Sequence, residues 1–535
     1  RFRAGNIQNT FSKTLQMRSF LNLIVFLVFC GKLNADGGYR SFGPEFKATI
    51  GEIWPKPYQQ VESNKYYAVN GSNFQFIAVN ENCALLQSAF TRYANIIAAA
   101  EKGYNRAPAT ATLGIIQQIH VNLTQPCEDL PHLDMDESYY VRGDGVVRAN
   151  TIWGILRGLE TFAQLLVPMP NGLLLTRSTE IYDQPRFKYR GLMLDSGRHF
   201  VSKAKILQLI EGMAYNKLNV FHWHMTDDSA FPYSSSVFPE LSAKGAYRPE
   251  LTYSKADVKE VVEFARARGI RVVPEFDTPA HTASWAASHP ELLTKCEGEF
   301  QGQLGPLNPT KESNFNFLHT FFSEIKSLFP DKFLHLGVDE VDSSCWESNA
   351  DIQSYLKAHG LDNGDLPYLY LERFSANISA MGWKQMVWQE AMLENSFMDW
   401  PEDTIAQLWF DYKNAAATLT KKGQNVVRSD GWYLYVLDTG ADWEKFYNVE
   451  PTNFEGNKSQ KSHVIGGEAC LWSEWINEHN VLPTTFPRVS AVAERLWSPL
   501  EQLDAEKARL RLEEHNCRMI GRGIEARPAN GFGMC

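Results

Sequence analysis

The sequence predicts an α/β fold, a closed (β/α)8 TIM barrel preceded by a small α+β domain, and three observations support this. The chain has 535 residues, enough for about two to four domains. From Arg190 onward short apolar segments alternate with longer amphipathic segments, as in a parallel sheet covered by helices. Polar or aromatic residues recur where the apolar segments end. An open doubly wound sheet is disfavoured, because no glycine-rich phosphate loop follows the first apolar segment.

The composition is that of an acidic globular protein. Hydrophobic residues make up 44% of the chain, aromatic residues 13% and charged residues 21%, which excludes a disordered or low-complexity polymer. The formal net charge is −10, from 62 acidic and 52 basic residues. A chain with this charge and no basic patch is a poor ligand for phosphate backbones, so we expect no nucleic acid partner.

Residues 1–35 are predicted to be a signal peptide together with upstream residues. Met17 and Arg18 precede an apolar run from Leu21 to Cys30. This run is too short for a bilayer core of about 30 Å but suits a secretory signal, with cleavage near Ala35. The alternative, an amino-terminal core strand, is disfavoured because no turn residues bound the run. No later apolar run reaches about 18 residues, so the mature chain is predicted to have no membrane span.

Residues 36–184 are predicted to form the small α+β domain. The expected elements are a strand at 73–79, a helix at 85–100, strands at 111–122 and 136–141, and a helix at 151–166. Turn-forming residues at 168–172 and 182–186 mark the boundary. Residues 185–535 are assigned to the barrel with a carboxyl-terminal extension.

Eight strands are predicted for the barrel. Their limits are 190–195, 218–224, 270–277, 333–338, 385–388, 404–409, 425–428 and 463–468. Helices are predicted between most of them, at 203–215, 255–268, 314–327, 368–381 and 415–422. In barrels of this class the carboxyl ends of the strands build the active site. The residues that follow each strand are therefore the candidates for a functional site.

Cysteine usage agrees with a secreted protein. Without Cys30 an odd number of cysteines remains, so one stays free or pairs between chains. Cys470 lies in an apolar run and is predicted to be a buried thiol. The other six allow many pairings, of which sequential pairing closes moderate loops: Cys83 with Cys127, Cys296 with Cys345, and Cys517 with Cys535. Four sequons, compatible with glycosylation, lie at Asn70, Asn122, Asn377 and Asn457.

The residues at the strand ends allow two interpretations of the site's chemistry. Metal ligation by His222, His224, Asp277 and His281 is one interpretation. It is disfavoured because strands five to seven supply no histidine. Clustered acids and tryptophans favour carbohydrate instead, because indole faces pack on apolar sugar faces while acids bind hydroxyls and protonate leaving groups. The tryptophans near strand ends are Trp388, Trp409, Trp432 and Trp472.

Several motifs resemble those of the family-20 glycoside hydrolases, the β-N-acetylhexosaminidases of lysosomal and secreted type. They are RGLMLDSGRH at 190–199, HWHMTDD at 222–228, EFDTPAH at 275–281, HLGVDE at 335–340, VWQE at 387–390, GGEACLWSE at 466–474 and AERLW at 493–497. They follow the family's order and span nearly the whole mature chain. The resemblance implies an exo-acting retaining hydrolase of terminal N-acetylglucosamine and N-acetylgalactosamine, with no metal and no cofactor.

Adjacent acids at one strand end bear on the mechanism. An ordinary retaining glycosidase needs two carboxyl groups about 5–5.5 Å apart across the scissile bond, and the neighbours Asp339 and Glu340 are badly placed for that. In substrate-assisted cleavage the sugar's own 2-acetamido oxygen attacks, giving an oxazolinium intermediate. The resemblance then implies Glu340 as general acid and base, and Asp339 as the residue that orients the acetamido N–H.

The resemblance also implies the residues that surround the sugar. They are Arg198 and Glu474 for ring hydroxyls, Tyr433 for the acetamido oxygen, Trp388, Trp409 and Trp472 for the pocket wall, and Asp227 and His281 as support for Glu340. From the residues alone, hydrogen bonds from His222 and His224 are predicted to hold Asp227 and Glu340 in place.

Two departures from the family pattern bear on the loops. Val338 stands where the family commonly has a second glycine, which is expected to shift the loop that carries Asp339. Tyr433 is followed by Leu434, Tyr435 and Val436, without the arginine that accompanies anionic sugars. Neutral sugars are therefore expected.

The expected partner is a glycan or glycoconjugate substrate. The resemblance favours a homodimer in the secretory pathway, either lysosomal or extracellular. Two other interpretations remain. A non-catalytic sugar-binding barrel is disfavoured because Asp339, Glu340 and Tyr433 are all present, and a zinc-dependent hydrolase would be sensitive to chelators.

Overall fold

The computed structural model describes residues 48–100, 112–169, 171–298, 301–394, 398–436, 438 and 440–531. The predicted signal segment, residues 1–35, lies outside the described residues. In the described part of the chain, no helix combines the length and apolar composition that crossing a membrane requires.

An eight-stranded mixed sheet and two helices form the first part of the described chain. The strands follow the order β2-β4-β6-β5-β8-β1-β3, with β7 paired to β8. They are β1 Gln59–Val69, β2 Gln75–Asn80, β3 Ile115–Ile116, β4 Gln118–Leu123, β5 Tyr139–Arg142, β6 Val146–Ala149, β7 Val167–Pro168 and β8 Leu174–Asp183. Helices α1 (Ala84–Ala100) and α2 (Ile152–Gln164) pack on the sheet through a shared apolar core. The Thr151 hydroxyl accepts the Gly154 N–H and so caps α2 at its predicted start.

The sequence patterns missed the two longest strands of this sheet, β1 and β8. Most side chains of β1 are exposed or half-buried, including Glu62, Ser63 and Lys65, so no apolar alternation marks the strand. Its pairing with β8 also shifts register between Glu62 and Tyr66. A register shift of this kind interrupts the two-residue period on which strand prediction depends.

Eight parallel strands close into a barrel, which confirms the predicted fold class. In chain order they are β9 Tyr189–Asp195, β10 Val220–Thr226, β11 Arg271–Thr278, β14 Phe333–Gly337, β15 Lys384–Trp388, β16 Ile405–Leu408, β17 Asn425–Arg428 and β18 Val464–Leu471. Each overlaps a predicted strand. Between β11 and β14 lies an antiparallel pair, β12 Leu293–Lys295 and β13 Leu304–Leu307.

Helices surround the barrel and bury its outer face in one large apolar core. The five predicted helices are present, within two residues at either end: α3 Lys203–Tyr215, α5 Lys255–Arg266, α6 Glu312–Lys326, α9 Leu366–Ala380 and α11 Ala415–Lys421. The others are α4 Glu240–Gly245, α7 Ser344–Ser348, α8 Ala350–His359, α10 Gln389–Glu394, α12 Trp443–Tyr447, α13 Lys458–Ser462, α14 Val481–Thr485, α15 Arg488–Trp497 and α16 Ala505–Gly521.

Two predicted disulfides are present, Cys83–Cys127 and Cys296–Cys345. The third predicted pair involves Cys535, which lies outside the described residues. Cys470 is a buried free thiol, as predicted.

A buried ion cluster joins the first sheet to the amino-terminal end of the barrel. Glu137 Oε1 accepts hydrogen bonds from Arg157 Nε at 2.9 Å and from Arg190 Nη2 at 2.6 Å. Glu137 Oε2 accepts a third, from Asn219 Nδ2 at 3.0 Å. All three charged side chains are almost fully buried, so neither guanidinium can turn to water.

Glu137→Ala is therefore expected to destabilise the protein by about 3–5 kcal/mol, because it leaves two buried guanidinium groups without their shared counter-ion. Denaturant unfolding measures the loss. The control is Asp144→Ala, which breaks a partly exposed pair with Arg142 and is expected to cost less than about 1 kcal/mol. Equal losses of unfolding free energy in the two variants would contradict the role of Glu137 as the shared counter-ion of the two arginines.

Candidate active site

The loop that carries Asp339 and Glu340 follows β14 at the carboxyl-terminal end of the barrel. At Gly337, φ is +74°, and a Cβ there would lie 1.8 Å from Asp277 Oδ1, so only glycine fits. The Val338 N–H donates to the same Asp277 oxygen at 2.8 Å. Val338 itself has a φ of +67°, a left-handed conformation that is strained for a β-branched residue. The replacement of the family's second glycine thus puts strain into the loop directly before the two acids.

Asp339 lies in a compact acidic group. Its carboxylate, the Asp277 carboxylate and a ring nitrogen of His281 have atoms within 4.8 Å of one another. Burial, together with the charge of Glu340, raises the pKa of Asp339 to about 7, and burial raises the pKa of Asp277 well above its usual range. Among the described residues, no group hydrogen-bonds to Asp339 Oδ1, although this atom is buried.

Glu340 stands at the end of a chain of polar side chains. Its side chain is 65% exposed, and Oε2 lies 3.7 Å from His281 Nε2. His281 Nδ1 is 3.3 Å from Asp227 Oδ1, and Asp227 Oδ2 is 2.9 Å from His224 Nε2. Although burial lowers it, the hydrogen bond to Asp227 and the charge of Asp277 raise the pKa of His281 to about 10. A cationic imidazole therefore faces the Glu340 carboxylate.

Arg198 links this chain to residues at or just after the carboxyl ends of the neighbouring strands β9 and β18. Its Nη1 is 3.0 Å from Asp227 Oδ2 and 3.1 Å from Asp195 Oδ2. Its Nε is 3.9 Å from Glu474 Oε1, and its guanidinium lies 4.9 Å from the centre of the Trp472 ring. The Glu474 side chain is 41% exposed, so it is accessible to a ligand.

The aromatic wall consists of residues that the sequence singled out. Trp388 and Trp472 form one buried cluster, against which Trp409, Tyr433 and Tyr435 pack. The ring centroids of Trp388 and Trp472 are 5.8 Å apart, and those of Trp409 and Tyr433 are 6.3 Å apart. The four rings predicted to bind the sugar and its acetamido group are therefore together.

Trp432 was predicted among the rim tryptophans, and this is wrong. Its side chain is fully buried in the large outer core, where Nε1 donates to the Phe446 carbonyl oxygen at 2.9 Å. Tyr433 pairs with Cys470 as an extended residue. Neighbouring residues of extended chain point to opposite sides, so Tyr433 faces the pocket and Trp432 the core.

A cleft of about 370 Å³ lies beside Glu340. Glu390 also lines it, and Glu390 Oε1 accepts a hydrogen bond from Trp409 Nε1 at 2.7 Å. Glu340 thus belongs to the wall of the cleft, and Glu390 connects that wall to the aromatic cluster.

Three groups of side chains have the donor atoms of a metal site within 4.8 Å of one another: His222, Glu275 and His335; Asp227, Asp228 and His281; and Asp277, His281 and Asp339. In the first group, His222 also faces a carboxylate through its other ring nitrogen, with Nδ1 2.7 Å from Glu468 Oε1. In the second, His281 contacts Asp227 through Nδ1. The nitrogens of the first group that face Glu275, His222 Nε2 and His335 Nδ1, each lie 3.0 Å from one of its carboxylate oxygens.

Comparison with known proteins assigns the chain. The model of the glycosyl hydrolase family 20 catalytic domain matches residues 187–500, and a model described as beta-acetyl hexosaminidase like matches residues 53–165. The chain belongs to glycosyl hydrolase family 20. It is therefore a glycoside hydrolase.

Relatives and solved structures agree with this family-20 assignment. The β-hexosaminidase β subunits of Sus scrofa and Homo sapiens are each 41% identical, over 89% of this chain and 92% and 88% of their own lengths. A chitobiase from Flavobacterium johnsoniae has a TM-score of 0.77 at 26% identity, over 89% of this chain and 73% of its own. An exo β-N-acetylglucosaminidase from Vibrio harveyi, in complex with N-acetylglucosamine, has a TM-score of 0.76 at 25% identity, over 92% and 81%.

Sequence reasoning missed two residues that hold the aromatic wall of this hydrolase, Glu275 and Glu390. Both lie in the motifs EFDTPAH and VWQE, but neither was given a role. Glu275 Oε1 accepts from Trp388 Nε1 at 2.8 Å, as Glu390 does from Trp409. The prediction for His222 is wrong, because within the described part of the chain its ring nitrogens face Glu275 and Glu468 rather than Asp227 or Glu340. The signals available in the sequence were an acid inside the apolar run of β11 and an acid two residues after Trp388.

Proposed function

We propose that this family-20 hydrolase is an exo-acting, retaining β-N-acetylhexosaminidase that removes terminal N-acetylglucosamine and N-acetylgalactosamine with the help of the substrate's acetamido group. The observation that carries the proposal is the unpartnered, buried Oδ1 of Asp339 beside the exposed carboxyl of Glu340. A buried acceptor without a partner costs stability unless a ligand supplies a donor. The acetamido N–H is such a donor.

Glu340 is assigned as the general acid and then the general base. An acid has to reach the glycosidic oxygen, and the exposed carboxyl of Glu340 in the wall of the cleft suits this role. His281 and Asp227 support this role. Asp227 holds the His281 imidazole in place and favours its charged form. The charged imidazole lies next to Glu340, where it can orient the carboxyl group and stabilise it when it becomes an anion.

Asp339 is assigned to the acetamido group. As an anion it accepts the acetamido N–H, directs the carbonyl oxygen at the anomeric carbon and stabilises the positive oxazolinium that forms. Tyr433 would donate its hydroxyl hydrogen to the acetamido oxygen. Burial raises the pKa of Tyr433 far above its usual range, so this hydroxyl keeps its proton throughout the working range of pH.

The remaining predicted residues would bind the terminal sugar. Trp388, Trp409 and Trp472 would pack on its apolar faces and on the acetamido methyl group. Arg198 and Glu474 would hydrogen-bond the ring hydroxyls, and a pocket closed by these groups explains a preference for chain ends. Neutral sugars are proposed because Tyr435 and Val436 bring no positive charge to the loop after Tyr433.

The cellular location and the partners of the protein are also proposals. Two disulfides favour the secretory pathway, lysosomal or extracellular, and the partner is a glycan or glycoconjugate. A homodimer, the domain limits 36–184 and 185–535, and glycosylation at Asn70, Asn122, Asn377 and Asn457 stay predictions. Asn377 is the least suited of these sites, because it lies within α9 and its Nδ2 donates to the Phe315 carbonyl oxygen.

The test compares two substrates that differ only at C2. We expect aryl 2-acetamido-2-deoxy-β-glucoside to be cleaved with retention of the anomeric configuration, which NMR of the first-formed product detects. The plain aryl β-glucoside lacks the internal nucleophile, and turnover is expected to be abolished. Efficient cleavage of the plain glucoside, or an inverted product, would overturn the mechanism. Loss of activity on chelation would favour the zinc-dependent alternative.

A further inference from the structure

Glu275 lies at the centre of a buried polar cluster inside the barrel. Strand register pairs it with His224 of β10 on one side and with His335 of β14 on the other. Its side chain is completely buried. Oε2 is 2.6 Å from His224 Nδ1, and Oε1 accepts the Trp388 indole hydrogen bond at 2.8 Å.

Two parts of the site therefore meet at one carboxylate. On one side, Trp388 packs with Trp472 in the aromatic wall. On the other side, His224 reaches Asp227, which leads through His281 to Glu340. The Trp472 ring also packs edge-on against the His224 ring, with centroids 4.9 Å apart, so the two sides touch directly as well.

The hydrogen-bond partners of His224 determine how many of its ring nitrogens carry a hydrogen. Nδ1 faces the Glu275 carboxylate and Nε2 faces the Asp227 carboxylate, and both partners accept but do not donate. Each ring nitrogen must then carry a hydrogen, which makes His224 a buried imidazolium. A buried cation is stable only when anions compensate it. In agreement, the charge of Glu275 and the hydrogen bonds to both acids outweigh burial and raise the pKa of His224 well above its usual range.

We propose that Glu275 is a positioning residue of the hydrolase, which fixes the tryptophan wall of the sugar pocket relative to the acid–base group Glu340 by holding Trp388 and His224 at the same time. Glutamine at this position could offer only one accepting oxygen, and its amide group would meet N–H donors on the other side. Either the indole or the imidazole would then lose its acceptor. This inference rests on the proposed function, because positioning is measured through turnover.

Glu468 offers a matched control. It is also a fully buried acid inside the barrel, where it accepts hydrogen bonds from Tyr189 and Gln407 and contacts His222. None of these residues is in the aromatic wall or in the chain that ends at Glu340. His222 also reaches Glu275, through its other ring nitrogen at 3.0 Å. Glu468→Gln nevertheless removes a similar buried charge from the same core while Glu275 keeps its own contacts with Trp388 and His224.

The experiment is a pair of double-mutant cycles on kcat, with rates normalised to the folded fraction. Glu275→Gln and Asp227→Asn are each expected to lower kcat by about 10–100-fold. Because they interrupt the same chain, the double variant should be only about threefold worse than the poorer single variant. The fold-losses of kcat caused by Glu468→Gln and by Asp227→Asn should instead multiply in their double variant. The proposal would be overturned if the losses of kcat from Glu275→Gln and Asp227→Asn multiplied. It would also be overturned if Glu468→Gln were coupled to Asp227→Asn as strongly as Glu275→Gln is.

A measurement on the unmodified protein covers the case in which Glu275→Gln does not fold. Neutron diffraction of the wild-type protein at neutral pH is expected to find hydrogen or deuterium on both ring nitrogens of His224. A single protonated nitrogen would contradict the proposed connection. Failure of the wild type to cleave any β-N-acetylhexosaminide would instead refute the proposed function. The protonation of His224 seen by neutron diffraction does not depend on that outcome.

Discussion

Replacing Glu340 by glutamine is expected to lower kcat/KM for a β-N-acetylglucosaminide with a sugar leaving group by about 10²–10⁴-fold. The amide cannot donate an acidic proton to the glycosidic oxygen, and a sugar alkoxide is a poor leaving group without it. A dinitrophenyl glycoside needs no such proton, so kcat/KM for that substrate should fall far less. Steady-state kinetics with the two substrates at one pH measures the difference.

The matched control for this variant is Glu394→Gln. Glu394 lines the same cleft and, among the residues that the structure describes, forms a long, exposed ion pair with Lys413 at 3.9 Å. An exposed pair of this kind contributes little, and kcat/KM is expected to stay within about threefold of the wild type. Near-native turnover of the sugar-linked substrate by Glu340→Gln, or an equal loss for both substrates, would contradict the role of Glu340 as the acid.

Asp339→Asn is expected to lower kcat for N-acetylated substrates by about 10²–10³-fold. Asparagine keeps the shape but removes the negative charge that offsets the developing oxazolinium. Because that positive charge is absent from the bound substrate and develops on the way to the transition state, kcat should fall much more than KM rises. Initial-rate kinetics on an aryl N-acetylglucosaminide separates the two constants.

A control lies three residues further along the same loop. Asp342 is exposed and caps the next turn, with Oδ1 accepting the Ser344 N–H at 2.9 Å. Asp342→Asn is expected to leave kcat within about threefold, since an exposed substitution of this kind changes stability little. If both loop variants lost activity to the same extent, loop disorder rather than the charge of Asp339 would be the cause.

The barrel was predictable because its strands carry local signals. Each is a short apolar run that ends in polar residues, and all eight overlap the predicted limits. The small domain was harder, since β1 is largely exposed and its pairing with β8 is interrupted by a register shift. Such a strand is held by its partners in the sheet and not by its own pattern.

The site could be predicted as a set of residues but not as a network. The acids and tryptophans of the strand ends are visible in the sequence, and the family resemblance supplied their expected roles. The contact between His224 and Glu275 depends on the register of β10 against β11, and the contact between Glu275 and Trp388 depends on closure of the barrel. Neither register nor closure is encoded in a single segment.

One residue of displacement along the chain decides which side chain faces the aromatic cluster. Tyr433 and Trp432 are neighbours after β17, and both were placed at the rim. The extended chain turns Tyr433 towards the aromatic cluster and Trp432 into the outer core. Which side faces the pocket depends on the pairing with Cys470, which the sequence alone does not specify.

The central claim is that the substrate's acetamido oxygen is the nucleophile, steered by Asp339 while Glu340 supplies the proton. The most direct test is the rate of cleavage of aryl β-glucosaminides whose N-acetyl group carries none, one, two or three fluorine atoms. Each fluorine withdraws electrons from the carbonyl oxygen and weakens it as a nucleophile. The account predicts that kcat/KM decreases progressively along the series. A rate that does not change with fluorination would show that another group attacks the anomeric carbon, and would contradict the account.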